Sequence, residues 1–299
     1  MVLSILVVGS LNVDTTLTVD HLPEPGETIL ATKLDTSMGG KGQNQAVAMS
    51  RLGSKVRMIG AVGKDEKGSD ILEGLKKEGV DISGIMQTDI VTGMASIYLD
   101  YAGNNNIVVY PGANFAINPD DINKKLELFN AVKYCVMQLE TPLQVIYRTL
   151  EICKENSIIT VLNPAPANKD FDEKYLNLID YLVPNETELS LLTGEELSGS
   201  NISELANKLL QKGCKNVLVT LGSEGSLLVN ESEEIKVESK KVEAIDTTAA
   251  GDSYIGGLVS SLANGYTIEE AMKYATKVAA KVVTKKGAID SLPYVDEIE

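Results

Sequence analysis

The segment Ile5-Leu6-Val7-Val8-Gly9-Ser10-Leu11-Asn12-Val13-Asp14 sets the fold. Its first four residues are continuously apolar. They are long enough for a strand and lack the alternation of a half-wet one, so both faces are buried. Gly9 and Ser10 end the strand, which leaves Asn12 and Asp14 at its carboxyl edge. The unit recurs. Residues 56–61, 134–137, 158–162, 181–183 and 217–220 read as buried strands, with helical patterns at 70–78, 143–154 and 202–212 between several of them. Buried strands alternating with helices predict an α/β fold whose mostly parallel sheet is covered on both faces. Ligands of such sheets bind outside the carboxyl ends of the strands, so residues just after strands come first.

Two segments break this rhythm. Residues 16–37 are rich in Pro, Gly and Thr, with short strand-like pieces. Residues 96–110 read as a hairpin: Ile97, Leu99 and Tyr101 alternate with polar residues, Gly103-Asn104-Asn105-Asn106 turns, and Ile107-Val108-Val109 returns. Together they predict a small sheet standing off the main one. It would close over a ligand as a lid, or pair with another subunit through its edge; surface decoration is the alternative. A hairpin at 226–237 reads as an antiparallel edge of the main sheet.

Charge and composition narrow the chemistry. The 299 residues carry a formal net charge of −15, only three arginines occur (Arg51, Arg57, Arg148), and the lysines are scattered rather than clustered. Nucleic-acid and anionic-membrane binding need a basic surface and are not expected. A phosphate site must then rely on helix N-termini, backbone N–H groups and a metal ion. The single histidine, His21, sits beside Leu22-Pro23 in a loop. A His-rich metal centre and a Ser–His–Asp triad are therefore not expected. Cys135, Cys153 and Cys214 show no CxxC spacing and read as buried, reduced thiols of a cytoplasmic protein. The apolar N-terminal run is strand-length and has no basic flank, and no apolar stretch approaches the roughly 20 residues of a membrane span. Neither a leader nor a span is expected.

Four motifs carry chemistry. Asp246-Thr247-Thr248-Ala249-Ala250-Gly251-Asp252-Ser253-Tyr254-Ile255-Gly256-Gly257 follows a strand-like stretch at 242–245 and opens a helix running to about 263. Its small residues let a phosphoryl group approach the backbone, and first-turn N–H groups backed by the helix dipole would stabilise its charge. Asp252 is placed to accept a proton from an attacking hydroxyl, or else to cap the helix. Gly39-Gly40-Lys41-Gly42-Gln43-Asn44-Gln45-Ala46 precedes a helix ending near Leu52. It is neither GxxxxGK[ST] nor GxGxxG, and Asn44 offers both a donor and an acceptor for vicinal hydroxyls. A glycine turn packing a helix on the sheet is the alternative. Asn12 and Asp14 after the first strand, and Glu140 after 134–137, converge on one edge as a polyol site, though each alone is also a common turn residue. Asn185-Glu186-Thr187-Glu188 would hold a hydrated Mg²⁺ on phosphate oxygens or form a capping box. Thr220-Leu221-Gly222-Ser223-Glu224-Gly225 would line a nucleotide groove or simply turn a hairpin.

Taken together, these motifs resemble the ribokinase family, the PfkB carbohydrate kinases, along nearly the whole chain. Gly39-Gly40-Lys41-Gly42 with Asn44 is similar to the family's N-terminal signature, and Asp246 to Asp252 to its C-terminal one. Asn185 to Glu188 is similar to its NxxE motif. Asn12-Val13-Asp14, Asn163-Pro164-Ala165-Pro166-Ala167 and Lys286-Gly287-Ala288 look most like the ribokinase branch.

The resemblance implies a ribokinase-like three-layer α/β/α sandwich of nine strands. It implies one catalytic domain over 1–299, a β lid formed by about 12–37 and 93–112, and a homodimer clasped through that lid. The implied activity is ATP-dependent phosphorylation of D-ribose at O5 by in-line transfer. A related kinase for deoxyribose, a nucleoside or a ketohexose, or a non-catalytic sugar binder of the same fold, is the alternative. The implied base is Asp252, with an anion hole from the N–H groups of Ala249, Ala250 and Gly251. Asn12, Asp14, Gly40, Lys41, Asn44 and Glu140 would hold the sugar. Asn185, Thr220, Gly222, Ser223, Gly225, Gly251 and Thr276 would line the ATP site. Glu188 would organise Mg²⁺ indirectly. Asp246, Thr248, Val282, Lys285, Gly287 and Ser291 would surround K⁺ or another activating monovalent cation. Met38 stands where relatives commonly have Phe, and Thr276 where a larger Asn or His is frequent.

Overall fold

The structure is a computed structural model that describes residues 4–197 and 201–298. The first three residues of the apolar N-terminal run lie outside them. The chain opens with β1 (Ser4–Val8), β2 (Asn12–Val19), β3 (Lys33–Gly39), α1 (Lys41–Arg51), β4 (Lys55–Gly63), α2 (Glu66–Lys77) and β5 (Asp81–Thr88). It continues through β6 (Gly93–Asp100), β7 (Asn105–Tyr110), α3 (Pro119–Asn123), β8 (Val132–Gln138), α4 (Leu143–Glu155), β9 (Ile159–Asn163) and β10 (Tyr181–Leu182). It ends with α5 (Glu186–Thr193), α6 (Ile202–Gln211), β11 (Asn216–Thr220), β12 (Ser226–Asn230), β13 (Glu234–Val237), α7 (Ala250–Ala263) and α8 (Ile268–Val282).

Nine strands form one sheet in the order β13-β12-β11-β10-β9-β8-β1-β4-β5. Pairing is parallel from β5 to β11 and antiparallel over β12 and β13, as the apolar runs and the 226–237 hairpin predict. The fully buried β1 feeds two cores. Ile5 and Val7 pack with Val47 and Met49 of α1, Ile71 of α2, Leu258 of α7 and Met272 of α8. Leu6 and Val8 pack with Ile146 and Leu150 of α4 and Leu205 and Leu209 of α6. Successive strand residues point to opposite faces, so two separate cores mean helical layers on both sides of the sheet.

The second sheet has four strands in the order β3-β2-β6-β7. Its pieces reach further than the alternating residues suggest: Asn12 and Asp14 are not turn residues but the first pairs of β2, opposite Gly39 and Ser37 of β3. Helix α2 begins a turn earlier than its apolar pattern, because Asp65 caps it by accepting from the Gly68 N–H. Residues 242–245 are not a strand. Val242 and Ile245 are exposed, and the N–H of Ile245 donates to Val283 O beyond α8 rather than to a sheet neighbour. His21 is exposed in the β2–β3 connection, and all three cysteines are free and buried, as read from the sequence. Among the described residues no helix is long and apolar enough to cross a membrane.

Candidate active site

Strand β1 lies between β4 and β8, so the chain leaves it in opposite directions across the sheet. That reversal opens a crevice at the carboxyl ends of these strands, where ligands of open α/β sheets bind. The segment after β1 crosses the crevice and becomes β2. It is pinned by Asn114, which the sequence reading missed. The Asn114 side chain accepts from the Leu11 N–H at 2.9 Å and donates to Asn12 Oδ1 at 2.8 Å.

Helix α1 enters the same crevice. The second half of its glycine motif is already helical, so its first N–H groups are free to bind side chains. Gly42 N–H donates to Ser10 Oγ at 3.2 Å, and Ser10 Oγ donates to Glu140 Oε2 at 2.5 Å. Lys41 N–H reaches the same Glu140 oxygen at 3.0 Å. Glu140 therefore sits at the positive end of α1.

Helix α7 supplies the third wall. Ala249 turns the chain into it with φ 59°, a left-handed conformation that costs an L-residue about 1–2 kcal/mol. Ala250 N–H is drawn into a turn to Thr247 O at 3.2 Å. The N–H groups of Gly251 and Asp252 meet no protein acceptor among the described residues. Asp252 does not cap the helix. Its carboxylate is buried and accepts from Asn44 Nδ2 and Gln45 Nε2, each at 2.9 Å.

Close packing brings these two helices together. A Cβ built on Gly256 would lie 2.6 Å from Ala48 Cβ of α1, and on the α8 side one on Gly257 would lie 2.9 Å from Ala275 Cα. Gly256 is one turn after Asp252, and Ala48 is one turn after Asn44, so the contact holds the Asp252 carboxylate and the Asn44 amide in reach. Gly256→Ala should destabilise the protein by about 1–3 kcal/mol through overpacking. It should also lower kcat as α7 backs away from α1; urea unfolding and initial rates check both.

Four carboxylates surround Lys41. Its burial pushes the ammonium pKa down, but the charges of Asp252, Glu140, Glu188 and Asp14 outweigh this and the net direction is up. Asp14 is pushed up to about 6, first by burial and then by Glu140 and Asp252, against Lys41. Glu188 is raised by burial, opposed by the Asn185 N–H and Lys41. An anionic crevice around one ammonium suits a sugar on the carboxylate side and a phosphate near the lysine and the α7 N-terminus.

On the neighbouring strand ends, Asn185 and Glu188 form the capping box of α5: Asn185 Oδ1 accepts from Glu188 N–H at 2.8 Å, and Glu188 Oε2 from Asn185 N–H at 2.9 Å. Asn185 bridges Thr220 at the end of β11, and Gly222, Ser223 and Gly225 turn from there into β12. Thr276 is buried on α8, with its hydroxyl donating to its own helix at Met272 O. Asp246 joins two loops, accepting from the Thr248 N–H at 2.9 Å and from the Gly287 N–H at 2.9 Å. Burial pushes its pKa up, but these hydrogen bonds prevail and keep it below the usual carboxylate range. Val282 O accepts from Lys285 N–H, and the Ser291 hydroxyl is spent on Ala288 O.

The family model described as pfkB family carbohydrate kinase matches residues 2–294. The chain belongs to this family. Among pfkB relatives, it is 40% identical to a ribokinase of Staphylococcus aureus, with 98% of each chain covered. It is 35% identical to a deoxyribokinase of Salmonella typhi, covering 99% of this chain and 97% of the relative. The structure of an Arabidopsis thaliana ribokinase complexed with ribose and ATP superposes with a TM-score of 0.91 at 32% identity, over 100% of this chain and 98% of that one. The nine-stranded sheet with helices on both faces and a smaller separate sheet is thus the ribokinase-like pfkB architecture. Two residues of this pfkB site carry no motif: Asn114, and Gln138, whose Nε2 donates to Gln45 Oε1 at 2.6 Å. The available signal was a polar side chain closing an otherwise apolar strand for Gln138; Asn114 offered none.

Proposed function

We propose that this chain is an ATP-dependent kinase that phosphorylates D-ribose at O5. The observation that carries the reading is the Asp252 carboxylate, fixed beside the open first-turn N–H of Gly251 and facing the Asp14, Asn44 and Glu140 cluster. Asn12, Asp14, Gly40, Asn44 and Glu140 grip the sugar hydroxyls. Asp252 takes the O5 proton as the O5–phosphorus bond forms and the bond to the β-phosphate oxygen breaks. The N–H of Gly251 and the Lys41 ammonium receive the charge of the migrating phosphoryl group.

ATP lies along Asn185, Thr220, Gly222, Ser223, Gly225 and Thr276. Among the described residues no group of three or more His, Cys, Asp or Glu side chains forms a metal cage. The donor set fits a Mg²⁺ carried on phosphate oxygens, with Glu188 reaching it through water. Such an ion supplies neutralisation of phosphate charge. Asp246, held ionised between its two loops, fits a monovalent cation shared with Thr248, Val282, Lys285, Gly287 and Ser291. The small sheet serves as lid over the sugar, and its exposed β7 side chains Ile107, Val108 and Val109 support a homodimer through that sheet.

Deoxyribose is the second reading, favoured by the relative named a deoxyribokinase. A panel of ribose, deoxyribose, ketohexoses and nucleosides in one ADP-release assay tests the assignment. Turnover highest with ribose supports it. Higher turnover with another acceptor, or sugar-dependent stabilisation without turnover, replaces it.

Asp14 makes sugar binding pH-dependent. Its pKa in the free protein is raised to about 6, so the carboxyl is protonated below that pH and ionised above it. A protonated carboxyl gives up an accepting lone pair and its negative charge, so sugar binding favours the ionised form and weakens as pH falls. Between pH 7 and pH 5 the ribose Kd should rise about tenfold, by linkage to one proton. Calorimetric titration across this range checks it, and Asp14→Asn should flatten the dependence.

A further inference from the structure

We propose that Gln45 is a positioning residue for phosphoryl transfer, its side-chain amide locked by Gln138 and Asn163 so that it fixes the orientation of the Asp252 carboxylate. The proposal rests on the kinase reading above and adds a residue that touches neither sugar nor nucleotide.

The geometry is a buried chain of amides. Gln45 Nε2 donates to Asp252 Oδ1 at 2.9 Å and, more weakly, to Asn163 Oδ1 at 3.4 Å. Gln45 Oε1 accepts from Gln138 Nε2 at 2.6 Å. Asn163 Nδ2 donates to Val183 O at 3.0 Å, which ties the chain to the sheet. Gln45 and Gln138 are both 0% exposed, so neither reaches a ligand in the crevice.

Gln45 is fixed by its neighbours, while Gln138 Oε1 is buried without a hydrogen-bond partner. Turning the Gln45 amide over would aim its carbonyl at the carboxylate and its NH₂ at the Gln138 NH₂, losing both bonds and creating two repulsions. Gln138 is held in turn against Gly9, where a Cβ would stand 2.0 Å from Gln138 Oε1 and 2.9 Å from Gly42 Cα. The glycine that ends β1 thus makes room for the amide that sets the Gln45 orientation.

Two anchors define the carboxylate plane. Asn44 holds Oδ2 and Gln45 holds Oδ1, leaving the remaining lone pairs to meet a hydroxyl. The two anchors differ. Asn44 Oδ1 is buried without a partner, so this residue also has an atom to offer the sugar. Gln45 is committed entirely to the protein. Losing it frees the carboxylate to rotate about its χ2 bond, and small misplacements of a reacting group cost on the order of 10²-fold in rate.

The test compares wild type, Gln45→Leu, Asp252→Asn and the double variant. For Gln45→Leu we expect kcat lower by about 10²-fold, with ribose and ATP KM within about twofold. In the Asp252→Asn background the same change should cost less than about twofold, because nothing is left to orient. A kcat within about threefold of wild type, an equal loss in both backgrounds, or a raised ribose KM with unchanged kcat each overturns the proposal. If Gln45→Leu fails to fold, Gln138→Leu stands in. It should lose about tenfold in kcat, again only while Asp252 is present, and a loss independent of Asp252 overturns the proposal. A wild type that turns over ribose while Gln45→Leu is indifferent sinks the positioning role alone. A wild type without turnover sinks the kinase reading and this role with it.

Discussion

Asp252→Asn should lower kcat on the order of 10³-fold, about 4 kcal/mol of transition-state stabilisation, while ribose still binds. The substitution removes the proton acceptor but hardly changes shape. One amide oxygen still accepts from Gln45 or Asn44. The new NH₂ needs an acceptor, and Asn44 Oδ1 is buried beside it with no partner, so turning the Asn44 amide over satisfies the pair. The fold should therefore persist, with ribose Kd within a few-fold of wild type. Steady-state kinetics with calorimetric ribose titration make the check. A kcat near that of wild type would remove Asp252 from the chemistry.

The largest stability effect is expected far from the base. The Arg51 side chain is 10% exposed, and its Nη2 and Nε donate to the two Glu78 oxygens at 2.7 and 2.9 Å. Nη1 donates to Ile289 O at 2.8 Å and Leu292 O at 2.6 Å, and the guanidinium carbon lies 4.8 Å from the Tyr294 ring centroid. One planar cation thus ties the end of α1 to the segment before β5 and to the C-terminal residues. Arg51→Met leaves Glu78 charged without its partner and strands two carbonyls. The cost should be about 3–5 kcal/mol, the range for breaking a buried pair from one side. Removing Glu78 as well, as Arg51→Met/Glu78→Leu, should recover part of it. Urea midpoints at constant slope measure both; a loss below about 1 kcal/mol would mean the pair is solvated.

The main sheet was legible because its strands are buried on both faces. Runs such as Ile5 to Val8 and Val217 to Val219 leave no polar face to confuse them with amphipathic helices. Strand β5 was not legible: at the sheet edge its residues are of mixed burial, and its sequence DISGIMQT shows no clean period. Val242 and Ile245 mislead in the opposite sense. They are apolar and β-branched, yet exposed, because this segment bonds to the end of α8 instead of joining a strand.

The site was legible where glycine and small-residue motifs announce a close backbone approach, at residues 39–46 and 246–257. It was not legible where single polar residues act through distant partners. Asp252 reads as a helix cap until α1 supplies Asn44 and Gln45, some two hundred positions away. Gln138 closes a strand without announcing a partner, and Asn114 carries no signal in the sequence. Their meaning lies in register and helix crossing, which the sheet order fixes.

Transfer of the terminal phosphoryl group of ATP to O5 of ribose can be read from the product: incubate the purified protein with ribose and Mg-ATP and locate the phosphorus by phosphorus–proton correlation NMR. The expected result is one phosphate ester, coupled to the C5 protons, formed in step with ADP. ADP without a sugar phosphate, or an ester at another carbon, would contradict it.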